Sequence, residues 1–514
     1  MTELQDLSQA TADPADLGCD VCIIGSGCGG ATAARVLAEA GKDVILLEEG
    51  GDFTGSQLTQ RDAAMYDQLY AERGGRTTED GTISVLSGRV LGGGGVINAS
   101  DVVPIHPETW AFWRQKHGLT QWTDTVIAPA QARALADLSA HPIAPQQVNR
   151  NNQILQQGAQ ALGFHGEVMQ HNRGEACQGL GTCLIGCPLG AKHNPRKIAI
   201  PKAMAAGARV LLRGRAVRID GLSEVRKTVT VRTMDSKGYR EQFTFRIRAR
   251  VVIVAANPMG TVHLLRKSGV DNAHLGQHLS LQPQIPILAE FAEPVNSFDG
   301  IPQSYAVTEF ERYDAAHGFG GFRIEGIFGT PGILGSLVPV AGGPGKEMMA
   351  RIRFAAAALL LLPDESVGEI ALKHGRPLAR YTLTDEYRQR GRKAIEIAAK
   401  IYFAAGAKSV SVPNAPPMVL RNPSELRRID GLSLAPATLP LISAHQQGGT
   451  RMAANPSQGV VDATAQVFGT RDVYVFDSSW YPSTSSSHTM TPILTTSHAL
   501  SARLLAEWPK ANGT

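Results

Sequence analysis

The pattern of apolar and polar residues near the start of the chain predicts a strand, a turn, a helix and a second strand. An apolar run at 21–24 precedes four glycines between positions 25 and 30, an alanine-rich stretch and another apolar run at 44–47. That order is the order of a βαβ unit of parallel sheet. Further apolar runs at 250–256 and 473–476 predict buried strands later in the chain.

Helical and antiparallel patterns fill much of the remaining chain. Helices are predicted at 61–72, 129–140, 385–405 and 492–507, and the alternation with proline breaks between 283 and 434 predicts antiparallel strands. With 514 residues, the chain exceeds the size of one ordinary hydrophobic core. We therefore expect two domains.

The glycine turn after the first strand has the spacing Gly25-x-Gly27-x-x-Gly30, and Glu48 ends the second strand. Bare backbone at such a turn can approach a pyrophosphate, and the helix N-terminus supplies N–H donors. Glu48 can accept a hydrogen bond from a ribose 2′-hydroxyl and would repel a 2′-phosphate. These features predict a dinucleotide site, which the turn alone does not resolve between NAD and FAD.

Composition and charge narrow the class of partner. The chain is 43% apolar and 19% charged with a formal net charge of +4, and it has no basic run with interleaved aromatics, so we expect no nucleic-acid partner. The polar N-terminus has no export signal, which predicts a cytoplasmic location, with peripheral membrane association or co-export with a partner left open. The apolar run at 354–362 is too short to span a membrane, and we expect it in the core.

A second glycine-rich stretch makes a family resemblance specific. The sequence Gly88-Arg-Val-Leu-Gly-Gly-Gly-Gly-Val-Ile-Asn98, with the turns at 255–261 and 276–279, resembles signatures of the glucose–methanol–choline (GMC) family of FAD-dependent oxidoreductases. The resemblance selects FAD over NAD. It implies non-covalent FAD, because Ile97 stands where members with linked FAD have histidine. The motif and the resemblance together predict these cofactor-binding residues: Gly25, Gly27, Gly30, Glu48, Gly92, Gly93, Asn98, Val217, Asp477 and Met490.

Two histidines lie in segments that resemble the active-site segments of the family. His445 opens His-Gln-x-Gly-x-x-Arg-Met, and His488 is followed by Thr489 and Met490. Oxidation of an alcohol moves a hydride from the carbinol carbon to flavin N5 while a base takes the hydroxyl proton. Neutral imidazole, with a pKa of about 6.5, suits that role. We expect one histidine to be the general base and the other to orient the substrate oxygen, with the two assignments left open.

Three of the six cysteines, Cys177, Cys183 and Cys187, lie close together in the sequence. Buried free thiols, a disulfide that leaves one cysteine over, a zinc site completed by His193 and an iron–sulfur cluster are the alternatives. The spacing resembles that of bacterial FAD-dependent dehydrogenase catalytic subunits. This resemblance implies a [3Fe–4S] cluster that passes electrons to an acceptor protein such as a cytochrome or small subunit. Cys19, Cys22 and Cys28 are expected to be structural.

The resemblance implies an α/β fold, α+β overall, with a discontinuous Rossmann-like FAD-binding domain. We expect that domain at 15–105, 200–282 and 435–514, and the substrate-binding region with its antiparallel sheet at 106–199 and 283–434. The predicted function is FAD-dependent dehydrogenation of a CH–OH group. The cysteine spacing favours a sugar or polyol, whereas apolar patches at 332–340 and 354–362 favour an apolar alcohol. An alcohol oxidase that produces hydrogen peroxide and a flavin electron-transfer subunit are the alternatives.

Overall fold

Two large β-sheets, one mainly parallel and one mainly antiparallel, organise the chain. The structure, a computed structural model, describes residues 4–327, 329–336, 338 and 342–508. The strands are β1 (Leu4–Asp6), β2 (Leu17–Ile24), β3 (Val44–Leu47), β4 (Ile83–Val85), β5 (His141–Pro142), β6 (Gly166–Val168), β7 (Gln170–His171), β8 (Arg209–Leu212), β9 (Gly214–Asp220), β10 (Lys227–Met234), β11 (Glu241–Val254), β12 (Gln284–Glu290), β13 (Tyr305–Val307), β14 (Glu311–Asp314), β15 (Gly318–Gly321), β16 (Arg323–Gly326), β17 (Ala355–Leu361), β18 (Glu369–Lys373), β19 (Arg376–Arg380), β20 (Ser409–Val412), β21 (Met418–Leu420), β22 (Leu441–Ser443) and β23 (Val473–Val475).

The α-helices of the described residues lie between these strands. They are α1 (Cys28–Glu39), α2 (Asp62–Leu69), α3 (Gly94–Ile97), α4 (Pro107–His117), α5 (Asp124–Leu138), α6 (Arg150–Ala161), α7 (Ala199–Ala205), α8 (Asn257–Lys267), α9 (Pro331–Ser336), α10 (Gly342–Ala350), α11 (Asp385–Ala404) and α12 (Met490–Ala506). Within the described ranges, no helix is both long and apolar enough to cross a bilayer.

The first sheet has the order β1-β8-β3-β2-β11-β10-β9, and β23 pairs with β11. Strands β1, β8, β3, β2, β11 and β23 run parallel, and β10 and β9 continue the sheet in antiparallel pairs. The predicted βαβ unit is confirmed as β2, α1 and β3. Of the run predicted at 250–256, residues 250–254 form the end of β11, and the buried positions 251–254 lie between β2 and β23.

The second sheet has the order β21-β20-β12-β17-β16-β13-β6, with β22 joining β12 to β4. Its pairs are antiparallel except that of β22 with β4. Helices α6 and α11 pack against it. The apolar run at 354–362 forms β17 in the middle of this sheet, as core packing requires. The α/β fold with a Rossmann-like sheet and an antiparallel sheet is thus confirmed.

Two helices differ from their predicted bounds for local reasons. The helix predicted at 61–72 ends at Leu69, because Tyr70 is extended with φ −103° and ψ 143°. Glu72 and Arg73, with φ values of 50° and 60°, then lie in the left-handed region. The helix predicted to start at Pro129 begins at Asp124, so the proline lies inside its second turn. Strands from the N-terminal, middle and C-terminal parts of the chain share the first sheet, while the domain boundaries given above stay a prediction.

Candidate active site

A cavity of about 1280 Å³ lies between the two sheets. Its wall runs from the glycine turn and Glu48 at one end to His445 and His488 at the other. Pockets for drug-sized ligands commonly measure about 300–1000 Å³. This cavity therefore has room for a dinucleotide cofactor together with a substrate.

At the dinucleotide end, the glycine turn presents backbone to the cavity and Glu48 is fixed beside it. The N–H and hydroxyl of Ser26 donate to Glu48 Oε2 at 3.1 and 2.5 Å, and the N–H of Gly50 donates to Oε1 at 2.7 Å. Burial raises the pKa of Glu48, although these hydrogen bonds oppose the rise. Gly30 lies behind the wall: a Cβ there would stand 1.9 Å from the carbonyl oxygen of Gly25, so only glycine allows this close packing.

The second glycine stretch touches the first. Gly92 donates its N–H to the hydroxyl of Ser26 at 3.0 Å, and a Cβ on Gly93, whose φ is 56°, would lie 2.7 Å from the Cα of Gly27. Gly27 and Gly94 line the cavity, and a Cβ on either would meet no other atom within 4 Å. The residues present therefore fit a bound dinucleotide, because these two positions leave bare backbone where a ligand would make contact.

The other predicted cofactor residues, Asn98, Val217, Asp477 and Met490, also line the cavity. Asp477 accepts from the hydroxyl of Thr261 at 2.5 Å and from the N–H of Ser479 at 2.9 Å. Burial raises the pKa of Asp477 against those hydrogen bonds. The cavity wall thus combines the N-terminal turn, the 88–98 stretch and the ends of strands from the first sheet.

His445 lies at the far end of the cavity, buried among neutral side chains. Its Nδ1 is 2.8 Å from Gln282 Oε1 and 3.0 Å from Gln284 Nε2. Burial, helped by the nearby charge of His488, lowers the pKa of His445 to about 3. The imidazole is therefore neutral at pH 7 and can accept a proton.

His488 has the opposite surroundings. Its Nε2 lies 2.9 and 3.0 Å from the two carboxylate oxygens of Glu325, and Asp101 Oδ2 is 4.0 Å from its Nδ1. Burial alone would lower the pKa of His488, but the charge and hydrogen bond of Glu325 outweigh burial and raise it. The rings of His445 and His488 are 5.1 Å apart at an angle of 72°. The site therefore pairs an imidazole whose pKa is lowered with one whose pKa is raised.

Glu325 is itself held by two further donors. Arg323 Nε donates to Oε1 at 2.6 Å and Gln303 Nε2 donates to Oε2 at 2.7 Å. Burial would raise the pKa of Glu325, yet His488 and Arg323 together lower it. The sequence analysis missed Glu325, Arg323, Gln303, Gln282 and Gln284. The only signal was the pair Arg323-x-Glu325, which places two opposite charges on one face of β16.

The cysteine segment lies against the cavity wall. A 3₁₀ turn at Cys183–Ile185 packs on α3, and Leu184 lines the cavity. The ammonium group of Lys192 donates to the carbonyl oxygens of Val96, Asn98 and Cys183 at 3.0, 2.6 and 2.9 Å, which joins the two segments. Burial raises the pKa of the Cys183 thiol to about 11, and Lys192 opposes this rise.

All six cysteines are free thiols, so the segment contains no disulfide. Histidine, cysteine, aspartate and glutamate side chains are the ones that could hold a metal ion. Among the described residues, the only group of three of them whose ligand atoms all lie within 4.8 Å of one another is Asp101, Glu325 and His488. Tetrahedral zinc with bonds of about 2.0–2.3 Å needs ligands at least that close. Cys177, Cys183, Cys187 and His193 therefore do not form a compact zinc site.

Sequence comparisons relate the chain to known proteins. Two models described as GMC oxidoreductase match residues 66–284 and 364–497, and a model described as an NAD(P)-binding Rossmann-like domain matches 23–83. An uncharacterized GMC-type oxidoreductase of Mycobacterium tuberculosis is 32% identical over 90% of this chain and 72% of the relative. A long-chain-alcohol oxidase of Arabidopsis thaliana is 26% identical over 90% of this chain and 65% of that protein.

The fold also matches solved structures. Pyridoxine 4-oxidase from Mesorbium loti superposes with a TM-score of 0.69 at 17% identity, covering 95% of this chain and 99% of that one. The chain belongs to the GMC oxidoreductase family. It is accordingly an FAD-dependent oxidoreductase that acts on CH–OH donors.

Proposed function

We propose that the protein oxidises an apolar alcohol to a carbonyl compound, with His445 as general base and His488 as the donor to the substrate oxygen. The observation that carries this proposal is the pair of histidines at the end of the cavity, of which His445 contacts two glutamine amides and His488 contacts the carboxylate of Glu325. FAD bound along the glycine stretches supplies the hydride acceptor. The side chains of His445 and His488 carry out the proton transfer and the hydrogen bonding to the substrate oxygen.

The different surroundings of the two rings support these two roles. His445 is neutral at pH 7, because burial lowers its pKa, and so it can take the hydroxyl proton. Glu325 raises the pKa of His488 and so favours its imidazolium form, which donates a hydrogen bond to the oxygen as negative charge develops there. Because the centres of the two rings are 5.1 Å apart, a base and a donor at these positions can act on the same hydroxyl group.

The wall beyond the histidines supports an apolar substrate. The aliphatic residues that line this part of the cavity are Pro286, Leu288, Ile327, Ile333, Leu334, Ala357, Leu359 and Leu361. A sugar would require several polar groups that match its hydroxyls, because unpaired polar groups in a closed site are costly. Part of the apolar patch at 332–340, residues 337, 339 and 340, lies outside the described residues. The similarity to a long-chain-alcohol oxidase is consistent with this substrate class.

The test is a substrate screen on FAD-loaded protein under anaerobic conditions. We expect fatty or cyclic alcohols to bleach the flavin absorbance, and sugars and polyols to bleach it far more slowly. His445→Gln should slow bleaching by about 10²–10⁴-fold with FAD content unchanged, which is the usual contribution of general base catalysis. Preference for a sugar would contradict the substrate proposal. If His445→Ala and His488→Ala both kept the activity of the wild-type protein, that result would instead indicate an electron-transfer subunit.

We also propose that FAD is bound without a covalent link. Ile97 lines the cavity where a linking histidine would otherwise stand, and its side chain has no nucleophile. Denaturation in acid or heat should therefore release all of the flavin into the supernatant. Flavin that stays with the precipitated protein would contradict this.

A [3Fe–4S] cluster at Cys177, Cys183 and Cys187 is a second proposal, and it concerns where the electrons go. Its support is the contact between the turn at Cys183–Ile185 and α3, a helix that contributes Gly94, Gly95 and Ile97 to the cavity wall. Iron and acid-labile sulfide assays on the purified protein test it, with Cys183→Ser as the matched variant. Stoichiometric hydrogen peroxide from an iron-free protein would identify an oxidase instead.

A further inference from the structure

We propose that Gln282 is a positioning residue that holds His445 in the tautomer with the proton on Nδ1, which leaves the Nε2 lone pair as the proton acceptor. The inference rests on the proposed role of His445 as the base. It concerns a side chain 163 residues away in sequence, on the turn that leads into β12.

The backbone of Gln282 is held in an unfavourable conformation. Its φ is 45°, in the left-handed region, although it is not glycine and precedes Pro283. The carboxylate of Asp364 holds this turn, accepting the N–H groups of Leu281 and Gln282 at 2.7 and 3.0 Å. Strained residues of this kind persist where the surrounding structure fixes them, and they cluster at functional sites.

The orientation of the Gln282 amide follows from its second partner. Gln282 is fully buried, and one end of its amide lies 3.1 Å from the carbonyl oxygen of Ser486. A carbonyl oxygen accepts, so that end must be the NH₂ group. The amide oxygen is then the atom 2.8 Å from His445 Nδ1, and it requires a proton on Nδ1. One side chain thus joins the segments of both histidines.

Gln284 is the competing partner, with Nε2 placed 3.0 Å from the same nitrogen. Its side chain makes no other hydrogen bond among the described residues, so a half-turn about its last bond brings the oxygen to face Nδ1. Gln282 cannot turn in this way without losing its bond to Ser486. The anchored amide therefore sets the tautomer and the free one follows.

The consequence for the reaction is the position of the lone pair. As the substrate O–H bond breaks, its proton goes to Nε2, and the oxygen electron pair forms the carbonyl as the hydride leaves the carbon. In the other tautomer Nε2 already carries a proton, so it cannot accept. The charged groups that act on His445 are His488, which disfavours its protonation, and Glu325, which favours it.

Two variants separate this role from a purely structural one. In Gln282→Met the acceptor is lost, Gln284 can donate to Nδ1, and the proton should move to Nε2. In Gln282→Glu the acceptor remains with a negative charge, so the Nδ1–H tautomer should persist and the pKa of His445 should rise. Gln466→Glu is the matched control, because Gln466 also joins two backbone groups, those of Thr470 and Asp472, in a turn outside the cavity wall.

The first measurement needs no substrate. Long-range ¹H–¹⁵N correlation spectra of FAD-loaded protein labelled with ¹⁵N-histidine distinguish the tautomers, and the His445 signal is identified by its loss in His445→Gln. We expect Nδ1–H in wild type, Gln282→Glu and Gln466→Glu, and Nε2–H in Gln282→Met. An Nε2–H signal in wild type, or no change in Gln282→Met, would overturn the inference.

The second measurement is the anaerobic bleaching rate with saturating alcohol across the pH range. Gln282→Met should lower kcat by about 10–10³-fold with little change in KM, since loss of tautomer control in a comparable histidine costs up to about 10⁴-fold. Gln282→Glu should keep most of the rate and move the acid limb upward by about 1–3 pH units. Equal losses in both variants at every pH would indicate a structural role. The predicted tautomers without any alcohol-dependent bleaching would instead contradict the proposed function.

Discussion

At the scale of single residues, Glu325 explains how the pKa of a buried histidine, His488, can be raised although burial lowers it. Breaking such a pair by removing one partner leaves an unpaired charge in the interior and costs about 3–5 kcal/mol. Here Arg323 stays beside position 325 when the carboxylate is replaced by an amide. Glu325→Gln therefore tests the charge on His488 and keeps nearly the same shape.

We expect Glu325→Gln to move the alkaline limb of kcat/KM to lower pH. Because Glu325 raises the pKa of His488, the imidazolium and its stabilisation are fully present below the unfolded value of about 6.5 and are lost as pH rises through the higher folded value. Without the carboxylate that loss comes earlier, with a rate decrease of about 10²-fold at alkaline pH. Anaerobic bleaching between pH 5 and 10 measures it, and an unmoved limb in Glu325→Gln would refute it. Glu396→Gln, far from the cavity, is the control.

A pair of glycine substitutions separates cofactor binding from folding. Gly94→Ala adds a methyl group that meets no protein atom, so the fold should be intact and FAD affinity should fall about tenfold, or about 1.4 kcal/mol. Gly30→Ala forces a methyl group onto the carbonyl of Gly25 and should yield little folded protein. Flavin fluorescence titration and circular dichroism give the two readouts. Unchanged FAD affinity in Gly94→Ala would contradict the position of the cofactor.

A site residue could be predicted from the sequence when its neighbours in the chain form a recognisable motif. The glycine motifs, His445 and His488 lie in short continuous segments, so pattern and resemblance were sufficient. Glu325 and Gln282 act on histidines 163 residues away, and no local pattern encodes that pairing. The pairing exists because the second sheet places β16 and the turn before β12 beside the C-terminal segments.

At the scale of elements, the contact between α3 and the cysteine segment depends on one buried cation. Lys192 replaces its hydration shell with three carbonyl oxygens, and burial lowers its pKa. The helix α3 has only four residues, too few to be stable alone. Its position at the cavity wall thus depends on the segment that follows some ninety residues later in the chain.

Lys192→Met should destabilise the protein by about 2–4 kcal/mol, because it removes the ammonium donor from the carbonyl oxygens of Val96 and Asn98 and leaves that of Cys183 with only the N–H of Gly186 at 3.4 Å. It should also weaken FAD binding, since Asn98 and Gly94 lie on the segment that Lys192 holds. Thermal unfolding and FAD titration measure the two effects. Lys197→Met is the control, because its ammonium bonds only the exposed carbonyl of Gly190. Similar losses in both variants would contradict the special role of Lys192.

At the scale of the whole molecule, the active site closes only where both sheets meet. The first sheet and its loops supply the dinucleotide wall, and β12, β17 and residues that follow β16, such as Ile327, supply the wall beyond the histidines. Continuous apolar runs predicted the strands of the parallel sheet, and alternation with proline breaks predicted the strands of the antiparallel sheet. The mutual placement of the two sheets was not predictable, because it depends on side-chain packing between distant parts of the chain.

Burial of neutral His445 should make the whole protein sensitive to acid. Its folded pKa of about 3 lies below the unfolded value of about 6.5, so the unfolded chain takes up the proton first. Stability from this group is therefore lost as pH falls below about 6.5, by at most about 5 kcal/mol near pH 3. His445→Gln should flatten the dependence of the unfolding free energy on pH, measured by urea denaturation. His317→Gln, an exposed histidine, should leave the slope as in wild type.

The large cavity between the sheets has a consequence for the life of the protein in a cell. A ligand that binds only the folded state stabilises it by mass action, by about 4 kcal/mol when its concentration is a thousand times Kd. Proteases degrade the unfolded fraction, so a change of that size alters abundance severalfold or more. The supply of flavin can then determine how many copies of the enzyme survive, before any substrate arrives.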